Sequence, residues 1–278
     1  MIEKKINIAI IGHGFVGKAV DYGFPDTSCN KFIIDPKYQN EIKDLTKYDI
    51  DFAFVCVPTP MNNNGSIDSS IIENVLDDIS KYTDAIIIVK STVIPDVIDN
   101  LDFDFVYNPE FLTENNANQD FVNPSFHVLG GPANLTTKVE DLYNKYSLCK
   151  PCPVHHMRPI DASFVKYGVN CFLATKVLWF NQFFDIIEKA GGNFNKIIGA
   201  ITNDERIDKS HTTVPGFDGK RGYGGACFPK DTNAFLSYAP EFTVLEEVIK
   251  QNNKYRKNYS MDSREKEQNV TYGGRNES

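Results

Sequence analysis

At 278 residues with 41% hydrophobic side chains, the chain is long enough for two modest domains, each with its own core. A net charge of -8, with no basic cluster in the patterned region, excludes a general nucleic-acid or anionic-membrane partner. No apolar run approaches the ~20 residues of a membrane span. Residues 1–5 lead directly into an apolar strand rather than a signal-peptide core, so a globular cytoplasmic protein is expected.

Taken in chain order, residues 1–158 alternate short apolar runs with polar, helix-compatible segments, the pattern of strands joined by crossover helices in a parallel sheet. Strands are expected at 6–11, 31–34, 52–57, 85–89, 103–107 and 126–129. From 160 to about 190 the pattern changes to a long stretch without internal proline. Phe164, Val165, Phe172, Leu173, Val177, Phe180, Phe184 and Ile187 recur there at helical spacing, so a long helix should open a second, helical domain over 159–258. Shorter helices are expected at 194–202, 232–236 and 244–257, with a glycine-rich loop at 214–225. The polar segment 259–278 reads as a disordered tail.

Six cysteines, Cys29, Cys56, Cys149, Cys152, Cys171 and Cys227, suit free thiols in a reducing compartment better than a disulfide framework. Cys149 and Cys152 have redox-motif spacing, but Pro151 and Pro153 bracket the second cysteine, which favours a loop with incidental thiols. His155 and His156 are adjacent and chelate poorly, so no metal site is expected.

The first strand runs into Gly12-His13-Gly14-Phe15-Val16-Gly17, a dinucleotide fingerprint in its required strand-to-helix context. Gly12 permits the tight turn, Gly14 lets the backbone approach a pyrophosphate, and Gly17 allows close packing of helix on strand. Asp35 ends the second strand about twenty residues on, where a carboxylate hydrogen-bonds a ribose diol and repels a 2′-phosphate. NAD is therefore favoured over NADP, with Lys37 as a cation that softens the preference. Val57-Pro58-Thr59-Pro60 and Lys90-Ser91-Thr92-Val93 follow two further strands and extend the same rim, adding Val57, Pro58, Thr59, Pro60, Ser91 and Thr92 as cofactor candidates.

Asn108-Pro109-Glu110-Phe111-Leu112-Thr113-Glu114 carries two carboxylates four residues apart, which point the same way if the segment is helical. In a cleft such a carboxylate activates water; on a surface it is an ordinary charge. Lys166 and Asn170 repeat the spacing on the long helix, where the lysine either serves chemistry or snorkels from an apolar face. Gly224-Gly225-Ala226-Cys227-Phe228-Pro229-Lys230-Asp231 places a thiol beside a helix-like start and a lysine. Spacing alone leaves Cys227 open between a reactive thiolate and a small buried hydrophobe.

Taken together, GHGFVG, VPTP, KSTV, NPEFLTE, KYGVNCFLA and VPGFDGKRGYGGACFPKD resemble the UDP-glucose/GDP-mannose dehydrogenase family from about Ile6 to Lys257. The resemblance implies an α/β fold, with an N-terminal Rossmann-type doubly wound parallel sheet followed by an all-α domain for dimerisation and substrate binding. It implies oxidation of a nucleotide-sugar C6 alcohol to the carboxylate with two NAD and one water, most closely UDP-glucose to UDP-glucuronate. Cys227 would then be the nucleophile that holds the intermediate as a thiohemiacetal and a thioester. Lys166 and Asn170 would stabilise developing oxyanion charge, Glu110 and Thr92 would handle the water, and Asp231 would be the lysine's acidic partner. Glu114 would contact both ligands, Lys230 and Cys227 would border the cofactor, and Phe111, Leu112, Thr113, Tyr223 and Gly224 would line the sugar site. Arg206 would reach the substrate of a neighbouring subunit in a homodimer.

Family members usually continue into a third, Rossmann-like domain that grips the nucleotide, whereas this sequence stops just after the helix leading there. Weak substrate affinity is expected unless another chain completes the site. A dehydrogenase for another sugar, or a non-catalytic NAD-binding subunit, are the competing expectations.

Overall fold

A computed structural model describes residues 5–273, which cluster into two compact units. The first comprises the chain up to Thr59 together with Asp68–Lys166, the second Pro60–Ile67 together with the chain from Tyr167 onward. Among the described residues no helix is long and apolar enough to cross a membrane.

In the first unit, β1 (Ile6–Ile11), β2 (Cys29–Ile34), β3 (Phe52–Val55), β4 (Ile86–Val89), β5 (Val106–Tyr107), β6 (His127–Gly130) and β7 (Val154–Met157) form one sheet in the order β2-β1-β3-β4-β5-β6-β7. The pairings from β2 to β5 are parallel. Alternation of side chains along each strand divides the core in two. Ala9, Ile11, Ala53, Val55, Ile87 and Val89 face one side, with Ile72, Leu76 and Ile79 of α2 (Ser70–Tyr82) packed there. Ile8, Ile10, Phe54 and Ile88 face the other, under Ala19 and Val20 of α1 (Phe15–Gly23), Phe121 of α4 (Ala117–Val122) and Tyr143 of α5 (Ala133–Tyr146). Strands buried on both faces must be apolar throughout, which is why they read as unbroken hydrophobic runs. Each fully buried Leu, Ile or Phe contributes about 1.5–3 kcal/mol. Between α2 and α4, the one-turn helix α3 (Pro95–Asp99) follows β4.

The far end of the sheet departs from the sequence reading. The strand expected at 126–129 runs antiparallel to β5, meeting it through Tyr107 and Gly130. β7 was not expected at all. It pairs with β6 at the sheet edge, and its His155 and His156 are exposed, so it lacks the apolar run that marks an interior strand.

The second unit is built on α6 (Pro159–Lys189), which begins in the first unit, with α7 (Phe194–Ile201), α8 (Phe228–Tyr238), α9 (Thr243–Arg256) and α10 (Ser263–Glu267). Successive faces of α6 pack with different partners: Cys171 with Leu236 and Leu245, Leu178 with Tyr223 and Val248, Phe180 and Ile187 with Phe194 and Ile198. α8 starts four residues earlier than expected, immediately after Cys227. Pro229 sits in its first turn, where the missing N–H is no loss and the fixed φ suits a helix.

The segment from 260 onward, read as disordered, is ordered through residue 273. Asp262 and Glu265 form a capping box for α10, and Glu265 and Val270 are 2% and 1% exposed. The capping pattern supplies local order and the two buried side chains anchor it, an outcome that low overall hydrophobicity conceals. Residues 274–278 lie outside the described residues.

A buried polar network ties the strand ends of the first unit together. Lys90, just past β4 and 3% exposed, donates from Nζ to Asn108 Oδ1 at 2.9 Å. Asn108 Nδ2 donates to the Val128 carbonyl at 2.9 Å, and Tyr143 Oη donates to Asn108 Oδ1 at 2.7 Å. Burial pushes the Lys90 ammonium down from 10.5 to about 8, since desolvation penalises the charged form. The same burial, with Lys90 nearby, lowers the neighbouring His127, stacked on Tyr143, to about 4. Between about pH 8 and 10.5 the unfolded chain keeps a proton at Lys90 that the folded chain has released, so folding stability rises with pH across that window. Between pH 8 and pH 10 the expected gain is about 2 kcal/mol. Urea unfolding at pH 8 and pH 10 should show this gain in the unaltered chain relative to Lys90→Met; equal pH responses in the two proteins would place the lysine at its ordinary value.

Candidate active site

The carboxyl end of β1 turns at Gly12, whose φ of +85° is a left-handed conformation. A Cβ there would meet the Cys56 carbonyl oxygen at 2.7 Å, and one on Gly17 would meet the Gly12 carbonyl oxygen at 2.0 Å. Both glycines are thus demanded by the protein's own packing. Gly14 is different: nothing lies within 4 Å of an added Cβ. The open space over this backbone, at the start of α1, fits a ligand that approaches the main chain.

Asp35 closes the same corner. Its carboxylate accepts from the His13 amide at 2.7 Å and the Lys37 amide at 3.0 Å, and lies 3.2 Å from Lys37 Nζ. Burial works to raise its pKa, but the two amides and the lysine prevail and hold the carboxyl below its usual range. Lys37 Nζ also donates to the His13 carbonyl. The lysine therefore serves the loop and the carboxylate together. His13, 8% exposed, is fixed by Tyr38 Oη at 2.9 Å and Asp21 at 3.2 Å. Phe15 and Val16 are half-buried in the first turn of α1.

At the ends of β3 and β4, Thr59 is 4% and Ser91 5% exposed, while Pro58 is exposed. Ser91 Oγ donates to the Val57 carbonyl at 2.7 Å, so its hydroxyl binds the two strand ends to each other. Val57 is buried, and Pro60 and Thr92 are half-buried.

The segment 108–116 is a loop, not a helix, and its two glutamates separate. Glu110 is 6% exposed and accepts from Lys166 Nζ at 3.0 Å and from the Leu112 amide at 2.6 Å. Glu114 and Thr113 are exposed, and Thr113 bonds Asp120 through its amide at 2.7 Å and its hydroxyl. Lys166, 2% exposed, also donates to the Glu110 carbonyl at 2.6 Å and lies 5.3 Å from the Phe111 ring centroid. A lysine that spends its hydrogen bonds on a buried carboxylate does not snorkel. Glu110 to Thr113 line one wall of a cavity of about 280 Å³ whose other side includes Phe121, Pro124 and Phe126. That volume lies near the lower limit of small-molecule sites.

In the second unit, Cys227 is partly exposed and directly precedes α8. The other five thiols are all pushed upward by burial, Cys29 to about 11 and Cys56 to about 12. Behind Cys227, Asp231 is 1% exposed and accepts from Asn170 Nδ2 at 2.6 Å and Lys230 Nζ at 2.5 Å. The Asp231 amide donates to the Cys227 carbonyl at 2.8 Å, which locks the first turn of the helix. Tyr223 is 3% exposed and packs with Ala174 and Val248. Gly224 leaves room for Arg256, whose Cζ would lie 2.5 Å from an added Cβ. Arg206 is on the surface, its side chain 87% exposed and bidentate to Asp204.

Lys90 and Glu265 are buried charged residues that the motifs do not single out. Each did carry a signal: a lone lysine at the end of an all-apolar strand, and the capping pattern Asp262-Ser263-Arg264-Glu265.

Residues 37–147 match the NAD binding domain of the UDP-glucose/GDP-mannose dehydrogenase family, and residues 161–256 match its central domain. UDP-glucose 6-dehydrogenase of Rickettsia felis is 30% identical over 233 residues, covering 77% of this chain and 49% of that protein. UDP-glucose 6-dehydrogenase TuaD of Bacillus subtilis is 27% identical over 301 residues, covering 90% and 63%. The chain thus spans about half to two thirds of the length of these relatives. Among solved structures, a UDP-glucose dehydrogenase from Pyrobaculum islandicum superposes with a TM-score of 0.78 at 22% identity, over 90% of this chain and 68% of that one. The Rossmann-like sheet and the helical region that follows it are therefore a shared fold, and the chain belongs to the UDP-glucose/GDP-mannose dehydrogenase family.

Proposed function

We propose that the chain oxidises the C6 alcohol of a nucleotide sugar to the carboxylate, with UDP-glucose as substrate. The observation that carries this reading is the buried Asn170–Asp231–Lys230 cluster behind a partly exposed Cys227, the one thiol of the six that stands at the start of a helix. The names of the relatives support the substrate.

NAD, when bound, supplies the hydride acceptor for two successive oxidations. The open backbone at Gly14 fits its pyrophosphate, and Asp35, held anionic by its amide and lysine partners, suits a ribose diol. The remaining work falls to side chains. Cys227 Sγ adds to the C6 aldehyde and the thiol proton passes to the former carbonyl oxygen, giving a thiohemiacetal. Its oxidation leaves a thioester, and attack of water then breaks the C–S bond, releasing the carboxylate and restoring the thiol. Lys166 and Asn170 stabilise charge on the sugar oxygen, Glu110 takes the proton of the attacking water, and Thr92 orients that water. Asp231 fixes Asn170 in the orientation its role requires.

The long helix supports a homodimer. Phe172, Trp179 and Ile186 recur every seven residues on α6 and are 67%, 52% and 64% exposed. A second copy of the same stripe would cover them. Arg206, on the surface with its side chain 87% exposed, would reach the partner's sugar by exchanging its Asp204 contact.

Incubation of the purified chain with NAD and UDP-glucose should yield two NADH per acid formed. Cys227→Ser should lower acid output by at least about 10³-fold, and an undiminished yield would remove the thiol from the mechanism. Asp35→Ala should weaken NAD about 10-fold while narrowing its advantage over NADP; an unchanged ratio of the two affinities would count against the ribose contact. In sedimentation velocity, Trp179→Glu should convert the dimer to monomer, and a persistent dimer would move the interface off this stripe.

A further inference from the structure

The segment beyond α9 is attached to the loop that delivers Cys227. Gly225, two residues before the cysteine, has φ +78°, and Gly222 has φ +71°. Such left-handed turns leave amides that helix or sheet partners do not meet. The Gly225 amide donates instead to Glu265 Oε1 at 3.0 Å. Tyr272 Oη donates to the same oxygen at 2.5 Å, and the Asp262 amide donates to Glu265 Oε2 at 2.9 Å. Three donors are what a carboxylate 2% exposed requires to remain buried.

Further contacts fasten the same segment. The Met61 amide donates to the Gln268 carbonyl at 3.0 Å, and Lys220 Nζ donates to the Ser260 carbonyl at 2.7 Å. Arg256, 2% exposed, lies 6.0 Å from the ring centroids of both Tyr259 and Tyr272. It donates to Asp218 Oδ2 at 2.6 Å and to the Gly222 carbonyl at 3.0 Å. The glycine-rich loop is thereby held at Gly222 and Gly225.

We infer that residues 262–272 are a strap that sets the position of Cys227, with Glu265 as the positioning residue acting through the Gly225 amide. The strap's role in turnover rests on the reading of Cys227 as nucleophile; its role in placing the thiol does not. Loss of the Glu265 carboxylate leaves the Gly225 donor without its acceptor, and the Gly225-Ala226-Cys227 turn loses one of its anchors. Because the strap contacts the second unit alone in these bonds, NAD affinity should not respond.

The test uses Glu265→Ala and Glu265→Gln in the full chain, with three readouts: NAD affinity, kcat for acid formation, and the rate of Cys227 alkylation by iodoacetamide, followed by mass spectrometry of its peptide. Glu265→Ala should change the alkylation rate at least ~5-fold and lower kcat about 10-fold or more at unchanged NAD affinity. Glu265→Gln, whose amide oxygen can still accept from Gly225, should recover most of both. Alkylation and kcat at unaltered levels in Glu265→Ala would overturn the strap, as would equal losses in the two variants. Should Glu265→Ala not fold, Tyr272→Phe removes one donor from the same oxygen and should shift alkylation in the same sense by about 2-fold; no shift would overturn the proposal. An alkylation shift in a chain that never turns over would keep the strap and sink the dehydrogenase reading. Turnover with unmoved alkylation and kcat would do the reverse.

Discussion

Parallel pairing is the constraint on which the first unit depends. Because β2, β1, β3, β4 and β5 run in one direction, their carboxyl ends lie along one edge, while both faces of the sheet are closed by helices or by the chain entering α6. Polar chemistry has no place inside such a sheet and is confined to that edge. The glycine turn, Asp35, Ser91, Asn108 and Glu110 all follow strand ends. Their grouping is a consequence of strand direction, since the strands that carry them are joined by crossover connections.

Charge burial is the second organising problem, and it is solved locally in each unit. In the first, Lys166 and Glu110 neutralise each other at 3.0 Å while the Leu112 amide occupies the second carboxylate oxygen. In the second, Asp231 is shared between Lys230 and Asn170. Removing one partner from a buried pair of this kind costs about 3–5 kcal/mol, because the other charge is stranded. These residues therefore carry a structural load together with any chemical one. Lys90 is buried against a neutral amide, and burial lowers its pKa.

The left-handed glycines link the two themes. At Gly12 and Gly17 glycine is required because the protein's own backbone occupies the space of a Cβ, while at Gly14 the space is open. At Gly222 and Gly225 the unusual backbone carries an amide or carbonyl to a buried charged side chain from the end of the chain, Arg256 in one case and Glu265 in the other. Loop conformation and charge satisfaction are thus one structural fact in this region.

The sequence by itself determined the alternation that makes the sheet, because strands buried on both faces must be apolar and their turns must carry glycine or polar residues. It also determined the long helix, whose period is set by 3.6 residues per turn, and the motif order that places the chain in its family. Tertiary structure alone decided the reversed direction of β6 and the edge strand β7, since these depend on partners distant in sequence; in residues 260–273 a local capping box combines with distant partners of Glu265 and Gln268. It also decided which charges pair. Glu110 and Glu114 look equivalent along the chain, yet one is buried against Lys166 and the other exposed, because a loop, unlike a helix, sends residues four apart in unrelated directions.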